Sequence, residues 1–253
     1  LVGVTIYFLA NGGNGGELWA HDTSNHSTWE VVDINNNGGN AELGQNIRIL
    51  VDDTIYFDAD DGQTGKELWA HDTSNHSTWQ VADVRAQAGT GSTPGMSMAM
   101  LVGDTLYFSA SDGIIGNELW AHDTSNHSTW PVTDISSVSS GGSEDTDPGL
   151  YMEILVGDTI YFSARQGGQD IELWAHDTSN HSTWQATDIR VHATFGSNPG
   201  MFMAMLVGDT LYFSADAGSA GGGQELWAHQ PSEITTQSSG GSSSNNTLTP
   251  SVE

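Results

Sequence analysis

Cysteine is missing from this chain of 253 residues, which removes disulfide staples, thiol catalysis and thiolate metal sites together. Cations are scarce: Arg48, Lys66, Arg85, Arg165 and Arg190 stand apart from one another against 32 Asp and Glu, giving a net charge of −27. A nucleic-acid binder needs clustered cations to replace counterions along phosphates, so that function is excluded. Anionic membrane surfaces are disfavoured for the same reason. No apolar run is long enough for a membrane-spanning helix, so membrane insertion is not expected. No segment shows a helical period. Nucleophile elbow, phosphate loop and zinc motif are all lacking. No signal peptide is visible either, but the chain opens at Leu1 inside a repeat, so a mature or trimmed product is expected.

What is present is a repeat. Glu-Leu-Trp begins at Glu17, Glu67, Glu118, Glu172 and Glu225. A second segment, Leu-Val-Gly-Asp-Thr-Leu-Tyr-Phe in its commonest form, keeps step with it from Leu1, Leu50, Leu101, Leu155 and Leu206. Thirteen residues are identical in the four copies 17–29, 67–79, 118–130 and 172–184. One unit reads as four short strands: 96–102, 105–110, 118–123 and 129–135, joined by tight polar turns. The second and third strands carry large residues on both faces, as in a sheet sandwiched between two neighbours. A lone unit of this size cannot bury both faces, so the units must stack. The expected fold is all-β: a five-bladed β-propeller of four-stranded antiparallel blades over 1–229, centred on Trp19, Trp69, Trp120, Trp174 and Trp227.

The sequence Glu-Leu-Trp-Ala-x-Asp, a polar turn, Thr and Val-x-Asp-Ile resembles the ELWxxDGT-type repeat of secreted prokaryotic surface proteins. The resemblance covers residues 1–229. It implies a β-propeller outside the cytoplasm, extracellular or on the cell surface, and no defined activity. The turn here, Asp-Thr-Ser-Asn-His-Ser-Thr-Trp, is longer than the family's.

The strand count is uneven. The second and third strands of the unit occur five times, but the first and fourth occur only four times. Residues 230–253 form a Ser-, Gly- and Asn-rich tail or linking segment. Either 233–237 and 247–252 complete the terminal blades, or a neighbouring copy supplies a strand and links molecules into a fibre.

Asn25, Asn75, Asn126, Asn180 and Asn245 head N-glycosylation sequons, so covalently attached glycans are expected; the first four lie at a hairpin tip. Asp58, Asp60 and Glu67 are a candidate site for one weakly held calcium ion, against the simpler reading of an Asp-Gly turn. His21 and His26, with their equivalents, bracket the tip but lack a third metal ligand. The first strands of the blades carry only Arg48 and Glu153 as charges, and one carboxylate cannot serve as both acid and base. No enzyme activity is therefore expected. The leading expectation is a glycosylated structural or surface scaffold, with self-association through strand addition. The alternative is a lectin-like binder with equivalent sites between blades.

Overall fold

The computed structural model describes residues 1–13, 15–135, 145–166, 168–190, 195–218 and 223–231. The segments 233–237 and 247–252 and the sequon at Asn245 lie outside them. Among the described residues there are eighteen strands and no helix. They form five antiparallel meanders.

The first sheet has three strands, β1 (Thr5–Asn11), β2 (Gly16–Asp22) and β3 (Thr28–Val32). The second has four, β4 (Arg48–Val51), β5 (Thr54–Asp60), β6 (Lys66–Asp72) and β7 (Thr78–Ala82). The third repeats this with β8 (Ala99–Val102), β9 (Thr105–Ser111), β10 (Asn117–Asp123) and β11 (Thr129–Pro131). The fourth contains β12 (Glu153–Val156), β13 (Thr159–Arg165), β14 (Ile171–Asp177) and β15 (Ser182–Gln185). The fifth has three again: β16 (Ala204–Val207), β17 (Thr210–Asp216) and β18 (Gln224–His229). The uneven strand count expected from the sequence is thus reproduced among the described residues.

Two strands are shorter than expected. The strand expected over 96–102 begins at Ala99, because the residues before it curl onto a side chain: Ser109 Oγ accepts the N–H groups of Ser97 and Met98 at 2.9 and 3.3 Å. The strand expected over 129–135 ends at Pro131, as β15 ends at the equivalent Gln185, with Val132 N and Ala186 N each still donating across to a leucine carbonyl at 2.7 Å.

Residues 1–148 and 149–253 form two compact units. In the first, Leu18, Ile34, Ala41 and Leu43 pack against Phe57 and Ala59, joining the first and second sheets. Tyr56, Leu68 and Ala70 then meet Leu106, Phe108 and Trp120, joining the second and third. In the second unit, Met152, Tyr161 and Leu173 pack against Leu211, Phe213 and Trp227. Each core therefore lies between consecutive sheets, as the two-sided strands require.

Candidate functional site at the hairpin tips

The repeated tips are built by one carboxylate each. In the second sheet, Asp72 Oδ1 accepts from Ser74 N and Ser74 Oγ at 2.8 and 2.6 Å, and Oδ2 accepts from Asn75 Nδ2 at 2.6 Å. The Ser74 hydroxyl and backbone N–H hold the Asp72 carboxyl below the ordinary range. Asp22, Asp123 and Asp177 make the same bonds. Asn75 Oδ1 accepts Ser77 N at 2.9 Å, which bends the backbone at the residue between them. That residue, His76, is left-handed with φ at 62°, as are His26, His127 and His181. Thr73 N and Oγ1 both donate to Asp53 O at 2.8 Å, so the tip and the β4–β5 turn share one end of the sheet. All four tip asparagines are exposed.

Below three of the four tips lies a buried histidine, His71, His122 or His176, and below the first lies the half-buried His21. His71 Nδ1 is 2.8 Å from Thr78 Oγ1, and its ring is 6.5 Å from that of His76 and 5.4 Å from that of Tyr7. Burial pushes its pKa down. The sequence placed His71 and His76 around the tip, and they do approach each other. Among the described residues, no group of three His, Asp or Glu is arranged to hold a metal.

The three calcium candidates are not brought together. Cross-strand pairing sets Ala59 opposite Glu67 and Asp58 opposite Leu68, so Glu67 projects from the opposite face to Asp58 and Asp60. Asp58 accepts the N–H groups of Asn46 and Ile47 at 2.9 and 2.8 Å, and Asp60 accepts that of Gly62 at 2.7 Å. Glu67 accepts Ser92 N and Oγ at 2.8 and 2.6 Å, with Val84 N at 3.1 Å. Burial pushes its carboxyl up, against those donors.

These bonds, with their equivalents at Glu17, Glu118 and Glu172, give the first four meanders a buried carboxylate pinning the loop that leaves each, whereas Glu225 in the fifth is exposed. The fold is that of β-propeller proteins. A puromycin-hydrolyzing peptidase from Mycobacterium tuberculosis superposes over 99% of this chain and 35% of its own, at a TM-score of 0.52 and 11% identity. A puromycin hydrolase mutant matches over 89% and 33%, at 0.50 and 12% identity. TolB from Acinetobacter baumannii matches over 84% and 48%, at 0.42 and 14% identity. The chain thus spans about half of TolB and about a third of the two hydrolases. At these identities the likeness shows the fold alone. No family model and no curated protein sequence matches the chain.

Among other expected positions, Arg48 and Glu153 open the first strands of the second and fourth sheets, opposite Phe57 and Phe162. Burial pushes the Glu153 carboxyl up. Trp29 and Trp184, the last residues of two copies of the repeated thirteen, are each 37% exposed. Sequence reasoning missed the role of the Glu-Leu-Trp glutamate. Its signal was legible: Ser92, Thr146 and Ser197 each stand two residues before a Pro-Gly, and each hydroxyl reaches Glu67, Glu118 or Glu172.

Proposed function

We propose that the chain is a non-enzymatic, N-glycosylated extracellular scaffold, built as a five-bladed β-propeller of the ELWxxDGT-repeat type. Five repeats and five meanders support the blade number. The observation that carries the function is the tip geometry. Four sequon asparagines are exposed at the ends of hairpins that an Asp clamps into one shape, so repeated surface decoration is what the four copies have in common. The first strands hold one carboxylate, Glu153, where a hydrolase of the paired-acid kind needs two. The test is intact-mass and peptide mass spectrometry after expression in a host that performs N-glycosylation. Sugar on Asn25, Asn75, Asn126 and Asn180 is expected, and bare asparagines at all four would end this reading.

The exposure of Trp29 and Trp184 favours a second reading, a lectin-like propeller in which these rings stack on sugars. A glycan array separates the two. Binding that disappears in Trp29→Ala and Trp184→Ala would support the lectin, and a blank array the scaffold.

A further inference from the structure

Three joints between consecutive sheets share one device. The residue after Asp-Ile or Asp-Val, where the chain leaves a unit, lays a flat side chain on a left-handed glycine in the next unit. Asn35 lies on Gly62, Arg85 on Gly113 and Arg190 on Gly218, with the glycine φ at 74°, 76° and 67°. A Cβ on Gly113 would come within 2.8 Å of Arg85 Nε, so a glycine is needed to leave the guanidinium room. The last residue of the preceding strand accepts the glycine N–H: Asp60 for Gly62 at 2.7 Å, Ser111 for Gly113 at 3.3 Å and Asp216 for Gly218 at 2.8 Å.

The joints differ in what faces the flat side chain. Asp216 has a second oxygen, and its Oδ2 accepts Arg190 Nη1 at 3.4 Å. Asn35 is a neutral amide and calls for no counterion. Ser111 has a single oxygen, which the Gly113 N–H already uses, and it stands beside an arginine. Arg85 thus meets a hydroxyl where Arg190 meets a carboxylate. Among the described residues the Arg85 side chain makes no ion pair or hydrogen bond, and its Nε is buried without a partner. Asp112, next to Ser111, turns its Oδ1 to the N–H groups of Ile114 and Ile115 at 2.7 and 2.9 Å. Arg85 itself is half-buried and anchored by its backbone N–H, which donates to Glu67 at 3.4 Å. A guanidinium cannot shed its charge, so partial burial without a counterion is costly.

We propose that Arg85 and Ser111 form a binding site for a small monocarboxylate such as acetate. One carboxyl group is the difference between this joint and the Arg190 joint, which sets both the charge and the size of the ligand. The planar fork of a guanidinium matches the two oxygens of a carboxylate. Ser111 Oγ accepts from Gly113 and keeps its own hydrogen to donate to the ligand. Anions of higher charge are disfavoured by the net −27 of the chain. The site lies at the β9–β10 loop, the end of the sheet away from the sequon tip, and is independent of the glycans.

Titration of the full chain with sodium acetate, against sodium chloride at a constant ionic strength of about 0.15 M, tests the site with distant charges screened. The readout is the Arg85 Nε–H resonance in nitrogen–proton NMR spectra, identified by its loss in Arg85→Gln. Acetate is expected to shift it saturably, with half-saturation roughly in the millimolar range, and chloride is not. Ser111→Asp rebuilds the internal pair and should weaken the acetate response by about tenfold or more. Asp216→Ser should give Arg190 an acetate response that it does not have in the native chain. The melting temperature of the native chain should rise in acetate relative to chloride, and that of Arg85→Gln should not. The absence of a saturable shift, an equal shift in chloride, or an acetate response undiminished in Ser111→Asp would overturn the assignment.

Discussion

Tyr56 lies against His122, with ring centroids 5.5 Å apart and planes at 51°. Tyr7 meets His71 and Tyr161 meets His229 in the same way, each time linking one sheet to the following one. His122 Nδ1 is 2.8 Å from Thr129 Oγ1, while Nε2 is buried without a hydrogen-bond partner among the described residues. A neutral imidazole fits this setting and an imidazolium does not, because the charge would be buried with no acceptor for Nε2 among the described residues.

Stability should therefore fall in mild acid. Burial pushes the pKa of His122, and that of His176, down to about 4 from an ordinary 6.5. Between these values the unfolded chain binds protons that the folded chain refuses. The contribution is thus fully present above about pH 6.5 and lost as pH falls toward 4. On the order of 3 kcal/mol for each histidine is at stake. Melting temperature measured from pH 7 to pH 4 should drop, and the drop should flatten in His122→Asn. The raised carboxyls of Glu67 and Glu172 act in the opposite direction, so an unchanged slope in His122→Asn would refute the assignment to histidine.

Glu67 and Glu17 hold equivalent positions with unequal support. Glu67→Ala strands Ser92 and Val84 donors inside the protein and should cost about 3 kcal/mol. Beside Glu17 the hydroxyl donor is replaced by Ala41, so its carboxylate is held by the backbone N–H groups of Ile34, at 2.9 Å, and Asn35, without the side-chain donor that Glu67 has. Glu17→Ala should cost less than half as much. Urea unfolding of the two variants gives the comparison, and equal losses would contradict it.

Asp52 occupies a turn position with φ at 50°, where the other sheets place Gly3, Gly103, Gly157 and Gly208 at φ from 57° to 59°. Asp52→Gly should stabilise the protein by roughly 0.5–1 kcal/mol, and Asp52→Val should destabilise it by about 1–2 kcal/mol. Thermal denaturation of both variants checks the sign.

Much of this fold was legible because repetition turns weak local signals into one strong signal. The two-residue turn before Thr105, the aromatic strand after it and the missing strands at both ends all followed from copy alignment. Strand ends did not. Ser109 reads as an ordinary strand serine, yet its hydroxyl is what curls residues 97 and 98 away from the ladder. The divergence of the calcium candidates has a similar reason. Asp58, Asp60 and Glu67 look like a cluster in sequence, but pairing across β5 and β6 sends them to opposite faces. The tips were legible in place and not in bonding, since an Asp that gathers its own turn looks like any Asp before a Ser.

That gathering has a consequence for direction. In the second sheet the amide nitrogen of Asn75 already donates to Asp72 at 2.6 Å, and its carbonyl oxygen already accepts Ser77 N. A sugar attached to that nitrogen replaces one hydrogen and leaves the other free to keep its bond to the carboxylate. The side chain would then have little torsional freedom, and the first saccharide would leave the protein along a heading fixed by the hairpin. Four such anchors make the sugars' orientation a property of the backbone, like brackets cast with the wall rather than hung from it.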